Sequence, residues 1–274
     1  SKQAGVRGSA QRRSDTAPPA RRLSRSSLAA SATRVSATGV EACDAGVGSW
    51  TTFLGRTAEK VAPWGEDPNK LFDAFRSTDD LGLTFATFAH LFRLACQTQD
   101  VGSEAQHLTP PWGALDSLAP WCFPYERLRL LLGGNRMAKR LWEKLDARST
   151  RPDFEGAPCA AGRLRGRRAV VVGAGPCGLY AAIQLRLLGA HVVVLERREE
   201  FSRINQLHLW PWCGEELKDL GARCLEPPPL DFGANPDLLS IGIGDLQILL
   251  LKTALLLGAE ICLGAEFERI EWDS

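Results

Sequence analysis

The stretch Val170-Val171-Val172-Gly173-Ala174-Gly175-Pro176-Cys177-Gly178-Leu179 decides the reading of this chain. An apolar run of strand character enters a GxGxxG turn. A helical pattern follows from Leu179 to Leu188, and a second apolar run, Val192-Val193-Val194-Leu195, ends on Glu196. This is the layout of a dinucleotide-binding βαβ unit, and each glycine has a mechanical task. Gly173 allows the sharp turn, Gly175 lets backbone approach a pyrophosphate, and Gly178 lets the helix lie close against the sheet. The helix N-terminus then presents unpaired N–H groups and a partial positive charge to phosphates. Glu196 follows Gly178 at close to the ~20-residue spacing expected of a carboxylate that accepts ribose hydroxyls. That acid would repel a 2′-phosphate, which argues against NADP at this position. FAD and NAD both fit the fingerprint.

Outward from the unit, the run from Glu196 to Pro211 reads ExR followed by FSRxNxLHLWP. Together with the GAGPCGL turn and the downstream run Leu246-Gln247-Ile248-Leu249-Leu250-Leu251-Lys252, it resembles the flavin monooxygenase domain of the MICAL family. The similarity extends upstream to Lys70-Leu71-Phe72-Asp73-Ala74-Phe75 and Leu141-Trp142-Glu143-Lys144-Leu145-Asp146, so it covers roughly residues 69–274.

The resemblance implies a Rossmann-like, three-layer FAD/NAD(P)-binding α/β domain, preceded by a helical module. It also implies FAD as cofactor, NADPH as reductant, and a methionine of actin as the group oxidised to a sulfoxide. Position by position, the implied cofactor-binding set is Gly173, Gly175, Pro176, Cys177, Gly178, Glu196, Arg198, Arg203 and Asn205. Backbone N–H groups around Cys177 would face the pyrophosphate, Glu196 the adenosine ribose, and Arg198 the adenosine half. Arg203 and Asn205 would follow the cofactor towards the isoalloxazine. No catalytic base is identifiable, and in such enzymes the cofactor carries the oxygen chemistry. His208 and Trp210 read as core packing.

Two departures stand out. Where the family reads SIRxLQ, this chain reads Ser240-Ile241-Gly242-Ile243-Gly244-Asp245-Leu246-Gln247, with Gly244 in place of an arginine. The chain also stops at Ser274, before the glycine–aspartate segment that holds the flavin phosphate in the family. An incomplete FAD domain is therefore expected. Two other readings stay open: an NAD-linked oxidoreductase, and a non-catalytic dinucleotide-binding or interaction protein.

Composition sets the outer limits. A formal net charge of +1 gives no global pull towards nucleic acid or membrane. The eight cysteines form no CxxC pair and no metal-ligand spacing with the four histidines, so no metal site and reduced thiols are expected. Cys177 is either a small buried residue or a thiol with a redox role. The most apolar run, Ile248 to Leu257, is too short for the ~20 residues a bilayer needs and reads as a buried amphipathic helix.

Residues 1–66 are rich in Ser, Ala and Arg in their first two-thirds and lack apolar periodicity, which predicts a disordered tail. The Arg-rich, acid-poor start also fits an organellar transit peptide, although a cytoplasmic protein with an untargeted tail is the preferred reading. Leu71, Phe72 and Phe75, then Phe85, Phe88, Leu91 and Leu94, recur at helical intervals and open a helical module over 67–150. A Pro- and Trp-containing loop from Thr109 to Pro124 and a Gly133-Gly134 break divide that module. A Gly/Ala/Arg-rich linker over 153–166 leads into the βαβ unit, and 151–274 is the expected FAD-binding part.

Overall fold

The computed structural model describes residues 33–36, 65–97, 123–154, 163–225 and 239–271. Most of the predicted loop from Thr109 to Pro124, most of the linker and residues 226–238 lie outside these residues. Within the stretch expected to be disordered, Thr33–Ser36 forms a strand, β1.

Four helices follow: α1 (Pro68–Ser77), α2 (Leu81–Gln97), α3 (Pro124–Leu131) and α4 (Arg136–Ser149). Their starts are written in the sequence. Asp67 caps α1 by accepting from the N–H groups of Asn69 and Lys70 at 2.9 and 3.4 Å, and Pro68 takes the first helical position. Glu126 reaches back to the Phe123 N–H at 3.0 Å to open α3, and Asn135 caps α4 just after the double glycine. Phe72, Trp142, Tyr125 and Phe123 form a chain of ring contacts at 5.5–5.9 Å between centroids, which locks α1, α3 and α4 together.

The βαβ unit comes next: β2 (Arg168–Val172), α5 (Pro176–Leu187) and β3 (His191–Glu196). Then come β4 (Gln206–Leu209), α6 (Pro211–Asp219), β5 (Leu239–Gly242), α7 (Ile243–Leu256), β6 (Glu260–Leu263) and β7 (Phe267–Glu271). β2, β3 and β6 make a parallel sheet in that order, with Val170 beside Val193 and Val194 beside Ile261. β4 and β5 pair antiparallel, Leu207 opposite Ile241, and β1 pairs parallel with β7. The class is α/β, as the strand–turn–helix–strand pattern implied. β1 is the one described element inside the tail expected to be disordered.

One hydrophobic cluster runs through both parts. It holds Leu71, Phe88, Leu128 and Leu141 from α1–α4 together with Leu179, Ile183, Val192 and Leu251 from the βαβ side. The four helices therefore share one hydrophobic core with the βαβ unit.

α7 departs from expectation. It is buried on every side, from Leu246 through Leu256, not amphipathic. Its one cation, Lys252, is fully buried and donates to the carbonyls of Arg76 at 2.9 Å and Thr78 at 2.6 Å, capping the end of α1. Those carbonyls offset a desolvation cost that an isolated ammonium could not meet. Among the described residues no helix is long and apolar enough to cross a membrane, and no group of three or more His, Cys, Asp or Glu could hold a metal.

Candidate functional site

The glycine turn does mechanically what its pattern requires. Gly173 has φ +96°, a conformation that L side chains rarely adopt, and its N–H donates to Leu195 O at 2.7 Å, tying the end of β2 to β3. Gly175 caps α5, and a Cβ there would meet nothing within 4 Å, so the backbone is open to a ligand. A Cβ on Gly178 would stand 2.0 Å from Gly173 O, which allows glycine alone at this contact of helix and turn. Pro176 takes the first helical position, where its missing N–H costs nothing. The first intrahelical bond belongs to Leu179, donating to Gly175 O at 2.9 Å. The N–H groups of Cys177 and Gly178 precede it and stand at the open N-terminus.

Ala174, inside the turn, is gripped from both sides. Its N–H donates to Glu196 Oε2 at 2.9 Å, and its C=O accepts from Gln247 Nε2 at 3.0 Å. The other oxygen of Glu196 accepts from the Arg198 N–H at 3.0 Å, with the Arg198 guanidinium 3.9 Å away. Glu196 thus holds the turn in shape, and each of its oxygens keeps room for one more donor. Gln247 Oε1 is buried without a partner. A buried acceptor left open in this way fits a ligand that brings hydroxyl donors.

These groups surround a cavity of about 180 Å³. Gly173, Gly175 and Pro176 form one wall, Glu196 and Arg198 with Glu200 through Arg203 form another, and Ile243 and Gln247 from the start of α7 close it. Two arginines and an open helix N-terminus face two glutamates. At this size it is smaller than the roughly 300–1,000 Å³ of pockets that hold drug-sized ligands.

Of the residues singled out from sequence, Gly173, Gly175, Pro176, Glu196, Arg198 and Arg203 line the cavity. Gly178 packs beneath it, and Cys177 is exposed on the first turn of α5. Asn205 is exposed and lies outside the lining; its carbonyl accepts from the Ile243 N–H at 2.9 Å and so ties the two walls together. His208 and Trp210 are not core residues. Along β4 the odd positions Leu207 and Leu209 pack inward, which leaves His208 exposed and Trp210 62% exposed. Ile243 and Gln247 were missed as site residues. Their signal was the i, i+4 spacing on one helix face just after a second strand-to-glycine turn.

The [F-actin]-monooxygenase MICAL1 of Bos taurus is 46% identical over 137 residues, 49% of this chain and 12% of its own length. The protein-methionine sulfoxide oxidase mical3a of Danio rerio is 46% identical over 132 residues, 48% of this chain and 6% of its own. Over about half its length this chain is similar to the MICAL monooxygenases. A profile of the pyridine nucleotide-disulphide oxidoreductase family also matches residues 144–225, a stretch that holds every cavity residue except Ile243 and Gln247. The chain spans no more than about an eighth of the MICAL relatives it matches.

Proposed function

We propose that this chain binds FAD in the cavity at the N-terminus of α5 and forms part of an NADPH-dependent monooxygenase acting on protein methionine. F-actin, carried in the relatives' names, is the proposed substrate protein. The observation that carries the reading is the grip on Ala174. Glu196 and Gln247 hold the turn rigid while keeping free acceptor capacity directed at the cavity.

In this role the N–H groups of Cys177 and Gly178 would receive the pyrophosphate, supported by the positive end of the helix. Glu196 would accept from the adenosine ribose through its remaining lone pairs, and its charge would exclude a 2′-phosphate. Arg198 would bring a planar cation to the adenosine half, and Arg203 would follow the cofactor towards the isoalloxazine. Bound FAD would supply oxygen activation on reduction by NADPH, one oxygen atom passing to the methionine sulfur and the other leaving as water.

The test is a titration of the chain with FAD, followed by the visible spectrum and fluorescence of the flavin, with NAD as competitor. Saturable binding that NAD does not displace is the expected result. Displacement by NAD at comparable concentration would turn the reading to an NAD-linked oxidoreductase, and no binding of either would remove it.

A further inference from the structure

Glu216, on α6, lies outside the cavity lining, yet donors from three other segments converge on it. Its Oε2 accepts from Arg148 Nη1 at 2.6 Å, near the end of α4, and from the Tyr180 hydroxyl of α5 at 3.2 Å. Its Oε1 accepts from Arg151 Nη1 at 3.3 Å, just beyond α4, and Arg151 pairs with Asp219 as well. Arg148 is 5% exposed; its Nη2 donates to the Tyr180 hydroxyl at 3.3 Å and to Gln184 Oε1 at 3.4 Å. Burial would raise the Glu216 pKa, but the hydrogen bonds and charge of Arg148, with Arg151 and Tyr180, hold it below the usual carboxylate value.

The elements joined here are those that carry the cavity. α5 is the helix whose N-terminus opens on it. α6 continues from β4, which follows the Phe201–Arg203 wall, and β4 pairs with β5, which runs straight into Ile243 and Gln247. Thr253 Oγ1 donates to Leu220 O at 2.8 Å and ties the end of α6 to α7. A partly buried ion pair such as this, with Arg148 buried and Glu216 half-buried, adds little net stability, because desolvation offsets the Coulomb gain, but it tolerates few geometries. A carboxylate that must satisfy α4, α5 and the segment after α4 together fixes their relative placement.

We propose that Glu216, acting through Arg148 and Tyr180, is a positioning residue for the cavity. It sets where the Phe201–Arg203 wall stands relative to the glycine turn, and it couples the helical module to cofactor binding. The second half of that statement rests on the FAD reading above; the first half does not.

Amide hydrogen exchange of the ligand-free chain separates the two. Tyr180→Phe removes one hydroxyl and keeps the ring, so it folds even where Glu216→Gln does not. In both variants the amides of Leu179 and Ile243, bonded to Gly175 O and Asn205 O, should exchange about tenfold faster. The amide of Thr84, bonded to Asp80 O at the start of α2, should be unchanged. FAD affinity should fall about tenfold alongside. Unchanged exchange at Leu179 and Ile243 in Tyr180→Phe would overturn the proposal. Equal acceleration at Thr84 would overturn it too, since that is general loss of stability. A wild-type chain that ignores FAD while its variants show the local acceleration would sink the cofactor reading and leave the positioning role standing.

Discussion

Two strand-to-helix turns enter the same cavity, and both are rich in glycine. The first, Gly173 to Gly178, joins β2 to α5; the second, Gly242 to Gly244, joins β5 to α7. In the first, backbone meets backbone: Gly173 sits at φ +96°, and a Cβ on Gly178 would lie 2.0 Å from a carbonyl oxygen. In the second, Gly242 has an ordinary φ of −62°, and a Cβ there would crowd the Asp245 carboxylate at 2.7 Å, the end of a side chain that can rotate away, and touch Gln206 Oε1 at 3.9 Å. Gly244 would meet nothing nearer than Arg203 O at 3.9 Å. Glycine content is therefore no measure of need. Close backbone approach is, and only the first turn has it.

The largest effect should follow from adding one methyl to the first turn. Gly178→Ala forces either α5 away from β2 or the turn open, because a carbonyl cannot yield as a side chain can. Overpacking of this kind costs on the order of 3 kcal/mol. For a chain of this size that is a fall of about 6–12 °C in melting temperature. FAD binding should vanish with it. Thermal denaturation that leaves the variant within about 2 °C of wild type would show that the two turns do not differ as described.

Glu196→Ala should come next. The substitution removes the acceptor of a buried N–H on Ala174 and the carboxylate that faces the cavity. Losing a charge-assisted hydrogen-bond set weakens FAD binding by about 1.5–3 kcal/mol, which is about 10- to 150-fold in the dissociation constant. Spectroscopic titration reads this directly. Unchanged affinity would confine Glu196 to holding the turn and take the ribose away from it.

The first turn was legible in the sequence because its demands are local. Three glycines, a strand before, a helix after and an acid at the next strand's end are all set by short-range sterics. The wall that closes the cavity was not, because Ile243 and Gln247 arrive from a separate segment and meet the turn only through the tertiary fold. The same limit hid Lys252, whose charge made α7 look amphipathic until the carbonyls of Arg76 and Thr78, far back in the chain, supplied its partners. Trp210 misled for another reason. A large aromatic reads as core, but the alternation Gln206, Leu207, His208, Leu209 had already assigned the even positions of β4 to the outside. The junction at Glu216 left no trace at all in the sequence, since Arg148, Tyr180 and Glu216 are charged or polar residues on three different helices.

The smallest and sharpest test lies at Gly244, where the MICAL-like pattern carries arginine. The site is in the first turn of a helix with open space around it, so Gly244→Ala should stabilise the chain by about 0.5–1 kcal/mol, the ordinary helix cost of glycine. FAD affinity should not change. Gly244→Arg gains the same backbone term but sets a cation at a helix N-terminus, which costs about 0.3–1 kcal/mol. Its stability should therefore sit near wild type. Beside a cavity already holding Glu196 and Glu200, the added charge should tighten FAD binding by roughly fivefold over Gly244→Ala, about 1 kcal/mol. Chemical denaturation and flavin titration on the two variants separate backbone from charge. Should Gly244→Ala instead destabilise the chain, the second turn would need its glycine as the first does, and the contrast between them would be one of degree.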